Sequence, residues 1–208
     1  NVSASDLLTG IARGEDIKLS QCVVTGQVDI NRLFDKAEKF DIEKLHYTEL
    51  RGRRTVTLSQ DIVFDKCVFE ENVVFTGPWT EKDSVRVVFE SDVVFNSSEF
   101  KGQGRFRNAE FKGTASFDGC SFAGVVTFAG AVIHGDAKFR TVFFGGYSLF
   151  GECVFKASAR FTNSHFVKGV RFLAVRFEGE SDFSGVYSSS RAVPAFESVY
   201  FGLRRRGD

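Results

Sequence analysis

The sequence predicts an all-β solenoid of short straight runs separated by corners, and three observations carry that reading. From Phe100 to Phe183 one large apolar residue returns at alternating steps of six and five: Phe100, Phe106, Phe111, Phe117, Phe122, Phe128, Ile133, Phe139, Phe144, Phe150, Phe155, Phe161, Phe166, Phe172, Phe177 and Phe183. The residue two before each of these centres is small or β-branched in nearly every case, as at Ala109, Cys120, Val126, Ala137 and Cys153. A residue and its second neighbour point the same way only in extended chain, so each centre and its partner face one interior. The residues between them are mostly Lys, Arg, Glu, Asp, Asn and Gly, which suits solvent. Neither a 3.6-residue helix nor a heptad coil yields alternating fives and sixes, whereas a chain that runs straight, turns and repeats does. Four runs close one square coil of twenty-two residues.

These residues resemble the pentapeptide-repeat family, in its Phe-rich variety. Phe117-Asp-Gly-Cys-Ser-Phe122 and Phe111-Lys-Gly-Thr-Ala-Ser-Phe117 are close to units of the form F-x-G-A-x-F and F-x-G-x-A-x-F. The resemblance implies a right-handed quadrilateral β-helix over most of the chain. The six-residue step departs from a pure five-residue repeat, and Gly102, Gly113, Gly124, Gly135, Gly146 and Gly179 stand at that looser corner. A positive φ there is the expected reason for glycine.

Taken in order, residues 1–14 read as a capping helix, started by Ser5 or Asp6 and stopped by Gly14, with Leu7, Leu8 and Ile11 against the first coil. The β-helix follows over 15–183. Leu19, Val24 and Ile30 are its first centres, and Leu58, Phe64, Phe69 and Phe75 resume the alternation after an insertion at 31–54. A second insertion, at 76–84, holds Pro78 and Trp79, the only tryptophan. Assigning faces in order puts both insertions at the same corner, one coil apart. Phe34, Phe40, Leu45, Tyr47 and Trp79 are expected to form a satellite core there or a partner-binding lobe. Twenty-five centres from Leu19 to Phe183 make about six coils. Beyond Phe183 the pattern decays, and 184–208 reads as a C-terminal cap or as the start of the helical segment that follows the repeats in similar multi-domain proteins, some of them membrane-anchored.

Composition narrows the function classes. Among 208 residues, 27 acidic and 27 basic side chains leave a net charge of zero, which argues against a nucleic-acid binder and against a polyanion mimic. No apolar run is long enough to insert into a membrane. The lack of methionine reads as a processed or excised piece of a longer chain, with targeting information outside it. Cys22, Cys67, Cys120 and Cys153 all fall at the small inward position. Cys22 and Cys67 lie on one face in adjacent coils, within reach of a bridge, but the stacking distance slightly exceeds the preferred Cβ separation, so free thiols are expected. Neutral composition and unpaired core thiols favour the cytoplasm. No metal-ligand spacing, phosphate-binding glycine loop, Ser/His/Asp arrangement or paired carboxylate cleft is present, so no cofactor, metal or catalytic residue is expected.

Two surface features depart from the pattern. Lys138, Arg140 and Arg160 make a small basic patch. Phe143 and Val167 on one face, Leu149 and Leu173 on the next, and Tyr147 at the corner between them place apolar side chains where solvent is expected. That patch reads as the surface for a protein partner or a second copy of the chain, unless a C-terminal region beyond residue 208, or the tail around Val199 and Leu203, folds back over it. The function expected is a non-catalytic scaffold for protein–protein interaction. The alternative comes from the resemblance alone: some relatives imitate a DNA rod and bind gyrase, through an acidic surface and a symmetric dimer.

Overall fold

The computed structural model describes residues 1–77, 85–189 and 195–202. The chain winds as a right-handed quadrilateral β-helix whose four walls are sheets of seven or eight strands, parallel throughout except for one antiparallel strand at the end of one wall. Residues directly above one another, such as Phe89 and Phe111 or Phe122 and Phe144, are one turn apart in the chain. We number the walls I to IV in the order the chain visits them. Wall I carries Leu19, Phe64, Phe95 and Phe117 inward, wall II Val24, Phe69, Phe100 and Phe122, wall III Ile30, Phe75, Phe106 and Phe128, and wall IV Leu58, Phe89, Phe111 and Ile133.

Each wall residue is held by the coil above or below. Phe117 N–H donates to Lys138 O at 2.8 Å and Phe139 N–H to Arg160 O at 2.7 Å, so the backbone groups of a two-residue strand find partners in the next turn. Inside, the rings stack in columns: Phe117 on Phe139 and Phe128 on Phe150 both lie at 5.3 Å and 3° between planes, while Phe117 meets Phe128 edge-on at 5.2 Å. Stacking along a wall and edge contact between walls together fill the channel, the two geometries aromatic quadrupoles favour. From Phe100 to Phe177 every ring of the repeat is buried, and Phe183 is half-buried. The small partners are needed because two large side chains per run would overfill a channel of this width.

The two corner types differ, and the difference corrects the role expected for glycine. At the five-residue corners a backbone N–H bonds back three residues, as in Ala131 N–H to Phe128 O at 2.8 Å, and the residue before that donor has positive φ. This is the signature of a type II turn. It is carried by Ser97, Asn108, Thr141, Glu152 and Asn163 as well as by Gly119, Gly130 and Gly185. Gly102, Gly113, Gly124, Gly135, Gly146 and Gly179, at the six-residue corners, have no positive φ. They are glycine because the previous coil lies against them: a Cβ on Gly102 would stand 2.6 Å from the carbonyl carbon of Glu71, and one on Gly124 would collide with the Gly102 carbonyl oxygen.

The N-terminus closes the column in two steps. Val2–Ser3 adds a strand to wall II, pairing Val2 with Val24, before the helix Ala4–Ala12 begins. The helix starts two residues earlier than expected, because Ser3 and not Ser5 or Asp6 is its N-cap: Ser3 Oγ accepts from Asp6 N–H at 3.0 Å and donates to the Asp6 carboxylate at 2.7 Å. Leu7 and Ile11 enter the mouth of the channel beside Ile17, Val28, Phe64 and Phe69.

The first insertion sits at the corner between walls III and IV. It holds a 3-10 turn at Ile30–Phe34 and then the strand His46–Leu50, which pairs antiparallel with Arg53–Leu58 through Arg51 and Gly52, both at positive φ. Such a two-residue turn belongs to type I′ and suits a hairpin. Leu45 is buried, Phe34 and Phe40 are half-buried, and Phe34 meets Tyr47 edge-on at 5.0 Å. Trp79 lies outside the described residues.

The coil does not stop at Phe183, and no helix follows it in the described residues. Tyr187–Ser188, Ala195–Glu197 and Tyr200–Phe201 pair parallel with the coil before, giving seven coils and not six. Phe196 stacks on Phe172 at 4.9 Å and Phe201 on Phe177 at 5.2 Å. The sequence hides this turn because Ser188 takes the wall II centre and Phe196 is two residues out of step.

One inward position is badly matched. Ser148 Oγ is fully buried below Val170 and above Val126 and finds no partner among the described residues. Replacing it removes an unsatisfied hydroxyl at little cost in volume. Ser148→Ala is expected to raise stability by about 1 kcal/mol, read as a higher urea midpoint; a lower midpoint would mean that the hydroxyl is bonded in solution.

Candidate functional site

Alternation in a strand sends the residue on either side of each inward centre to the surface. On wall II the outward positions before the centres read Glu99, Ser121, Phe143, His165 and Tyr187 from the third coil to the seventh. The polar character ends at Phe143. From there three rings run up the wall: Phe143 and His165 meet edge-on with centroids 5.4 Å apart, and His165 and Tyr187 lie at 4.1 Å and 34°. His165 Nε2 is 3.3 Å from Ser189 Oγ, which fixes the imidazole in the row.

The other sequence candidates surround this row. Val167 follows the next inward centre on the same wall and is half-buried. Tyr147 stands at the corner of walls II and III, 57% exposed, and Leu149 and Leu173 continue the apolar surface onto wall III, half-buried and exposed respectively. The structure therefore brings Phe143, Tyr147, Leu149, Val167 and Leu173 onto adjoining walls of neighbouring coils. It does not cover them with the tail around Val199, which packs against the interior as the small partner of Phe201; Leu203 lies outside the described residues. Sequence reasoning missed His165 and Tyr187 as parts of this surface. The signal was the twenty-two-residue step from Phe143 to His165 and again from His165 to Tyr187, obscured for Tyr187 by the apparent end of the repeat.

Elsewhere the surface carries paired ions, together with exposed apolar side chains at Tyr47 and Leu50 of the hairpin and at Phe196, Tyr200 and Phe201 of the last coil. On wall IV the Glu110 carboxylate takes Arg86 Nη2 at 2.8 Å, His134 Nε2 at 3.0 Å and Lys112 Nζ. Hydrogen bonding to the Lys112 ammonium, with the nearby Arg86 charge and His134, holds its pKa below the usual carboxylate range despite partial burial. A carboxylate so saturated is a poor general acid or base. On wall I, Arg140 of the basic patch pairs with Asp118 of the coil below. Two depressions among the described residues are open to solvent. One, about 570 Å³, lies between the N-terminal helix and the first insertion and is lined by Arg13, Asp16, Lys44, His46 and Gln60; the other, about 600 Å³, follows the corner of walls I and II past Lys66, Asn96, Asp118 and Arg140. Among the described residues no three His, Cys, Asp or Glu side chains gather where they could hold a metal, and no helix is long and apolar enough to cross a membrane.

Comparison with known proteins agrees with the architecture. The family model for pentapeptide repeats matches nine copies over residues 64–121 and 144–186. No curated protein and no solved structure matches the chain. The segment between the two matched stretches, 122–143, keeps the same stacked strands and the same Phe columns. With its period, its four parallel walls and that match, the chain is a pentapeptide-repeat protein.

Proposed function

We propose that this β-helix is a non-catalytic scaffold that docks a protein partner on the apolar edge of walls II and III. The observation that carries the reading is the outward row Phe143–His165–Tyr187, with Phe143 44% and Tyr187 62% exposed. Rings with an apolar body and, in His and Tyr, a polar edge are the side chains that anchor protein interfaces. The rings occupy the fifth to seventh coils, whereas the same outward column carries Val23, Val68, Glu99 and Ser121 below them, so the aromatic row is a local feature and not a property of the repeat. Zero net charge and paired ions on walls I and IV do not favour a DNA-mimicking rod.

The test compares wild type with a Phe143→Asp, Leu149→Asp double variant in cross-linking and mass spectrometry from cells. Both substituted side chains lie on the outside, so the variant keeps the fold. A partner bound by wild type is expected to be recovered at least about tenfold less with the variant. Equal recovery of the same partners with both proteins would remove the patch from the binding site.

A further inference from the structure

We propose that Cys22 and Cys67 form a redox-active dithiol, a modification site far from the aromatic row, that closes to a cross-coil disulfide by exchange with an oxidised low-molecular-weight disulfide. The two residues stand directly opposite each other on wall II, one position before the paired Val23 and Val68, and Val68 N–H donates to Cys22 O at 2.8 Å. Their sulfurs are 2.9 Å apart, closer than ordinary van der Waals contact between sulfur atoms.

The other core cysteines show what this position does when no second thiol is near. Cys153 Sγ donates to Phe128 O at 2.8 Å, and Cys120 Sγ donates to Phe95 O, in each case the inward centre of the wall before, one coil down. The matching acceptor for Cys67 is Leu19 O, and here the sulfur stays 3.7 Å away. Cys67 keeps only long contacts to carbonyls, this one and Asp65 O at 3.5 Å, and its short contact is with Cys22. Cys120 and Cys153 have no thiol neighbour, while Cys22 and Cys67 are mutual neighbours.

Access is asymmetric, which sets the order of steps. Cys22 is half-exposed and Cys67 is fully buried, so an oxidant reaches Cys22 first. The Cys22 sulfur, as thiolate, attacks one sulfur of the small disulfide and expels one thiolate; the Cys67 sulfur then attacks the Cys22 sulfur of the mixed disulfide and expels the second. Two cysteine S–H bonds and one small-molecule S–S bond are lost, one protein S–S bond and two small-molecule S–H bonds form, and two electrons pass from the pair to the oxidant. Burial, with the hydrogen bond to Cys67, pushes the Cys22 thiol up to about 12, so the thiolate is scarce at neutral pH and exchange is slow there and faster in alkali.

The product joins residues 45 apart in the chain and spans the whole first insertion. It ties the capped first coil to the second. Cross-linking across so long a segment restricts the unfolded chain, and a rise in melting temperature of roughly 5–10 °C is expected.

The experiment incubates the purified protein with oxidised glutathione at pH 8.5, then measures intact mass, linked peptides and thermal unfolding, with Cys22→Ser and Cys67→Ser alongside. The expected result is a loss of two hydrogens, a single Cys22–Cys67 linked peptide, intact thiols at Cys120 and Cys153, and a melting temperature raised by that amount and restored by dithiothreitol. Neither variant shows the rise, and Cys22→Ser takes up no glutathione. Three results would overturn the proposal: four free thiols after prolonged oxidation of folded protein, a mixed disulfide that stops at Cys22, or a linked peptide with no change in melting temperature.

Discussion

Truncating Phe150 to alanine is expected to lower the stability of the column by about 3–5 kcal/mol. The ring is fully buried, stacked between Phe128 at 5.3 Å and Phe172 at 5.2 Å, and met edge-on by Phe139 at 5.5 Å and Phe161 at 5.3 Å. Its loss opens a cavity that rigid neighbours cannot fill, since each is itself held by a coil above and below. In a stacked array each coil contacts only its neighbours, so the damage is local first. Hydrogen exchange should accelerate around the fourth to sixth coils before the ends, and the urea midpoint should fall. Phe143→Ala, on the outside, provides the comparison: its stability should change by less than about 1 kcal/mol. Equal effects at the two positions would contradict the inward and outward assignment.

Adding one methyl group at Gly124 is expected to cost at least about 2 kcal/mol. That Cβ would run into the carbonyl of Gly102 and stand 3.2 Å from Gln103 N, and backbone in the middle of a hydrogen-bonded stack cannot move aside alone. Gly151→Ala is the control: its nearest neighbours are Leu173 O at 3.6 Å and Leu173 Cβ at 3.8 Å, ordinary contacts, and its φ is not positive. Gly151→Ala should be neutral or slightly stabilising, because alanine limits the unfolded chain. Neither position has positive φ, so thermal unfolding of the two variants isolates close approach as the reason for glycine. If both were equally tolerated, the coil-to-coil contact at the six-residue corner would not be as tight as the structure places it.

The legible part of this fold is the part that repetition forces. A column of stacked rings needs the same residue at the same place in each turn, so Phe106, Phe128, Phe150 and Phe172 announce wall III without any structure. What broke the period was harder to read. Ser188 stands where wall II needs a large centre and two extra residues precede Phe196, so the seventh coil looked like the end of the repeat. Sequence spacing located the glycines but could not tell a positive φ from a close neighbour, because the neighbour comes from the previous turn. The candidate surface was half legible. Phe143 and Leu149 were visible as apolar residues at outward positions, whereas the row through His165 to Tyr187 needed the register of a coil whose pattern had faded. Spacing placed Cys22 and Cys67 in adjacent coils on one face, but their 2.9 Å contact depends on both sulfurs turning toward each other, which spacing does not fix.

The scaffold we propose docks a protein on the aromatic row of wall II. A photo-activated cross-linking residue placed at Tyr187, and separately at Val132 on the opposite wall, tests it most directly in cells. Val132 is also outward and half-buried in a neighbouring pair with Glu110 and Val154, so both sites tolerate a foreign side chain. A discrete cross-linked product is expected from position 187, lost with Phe143→Asp, and none from position 132. The same product from both positions, or a product from position 132 alone, would contradict docking on the row.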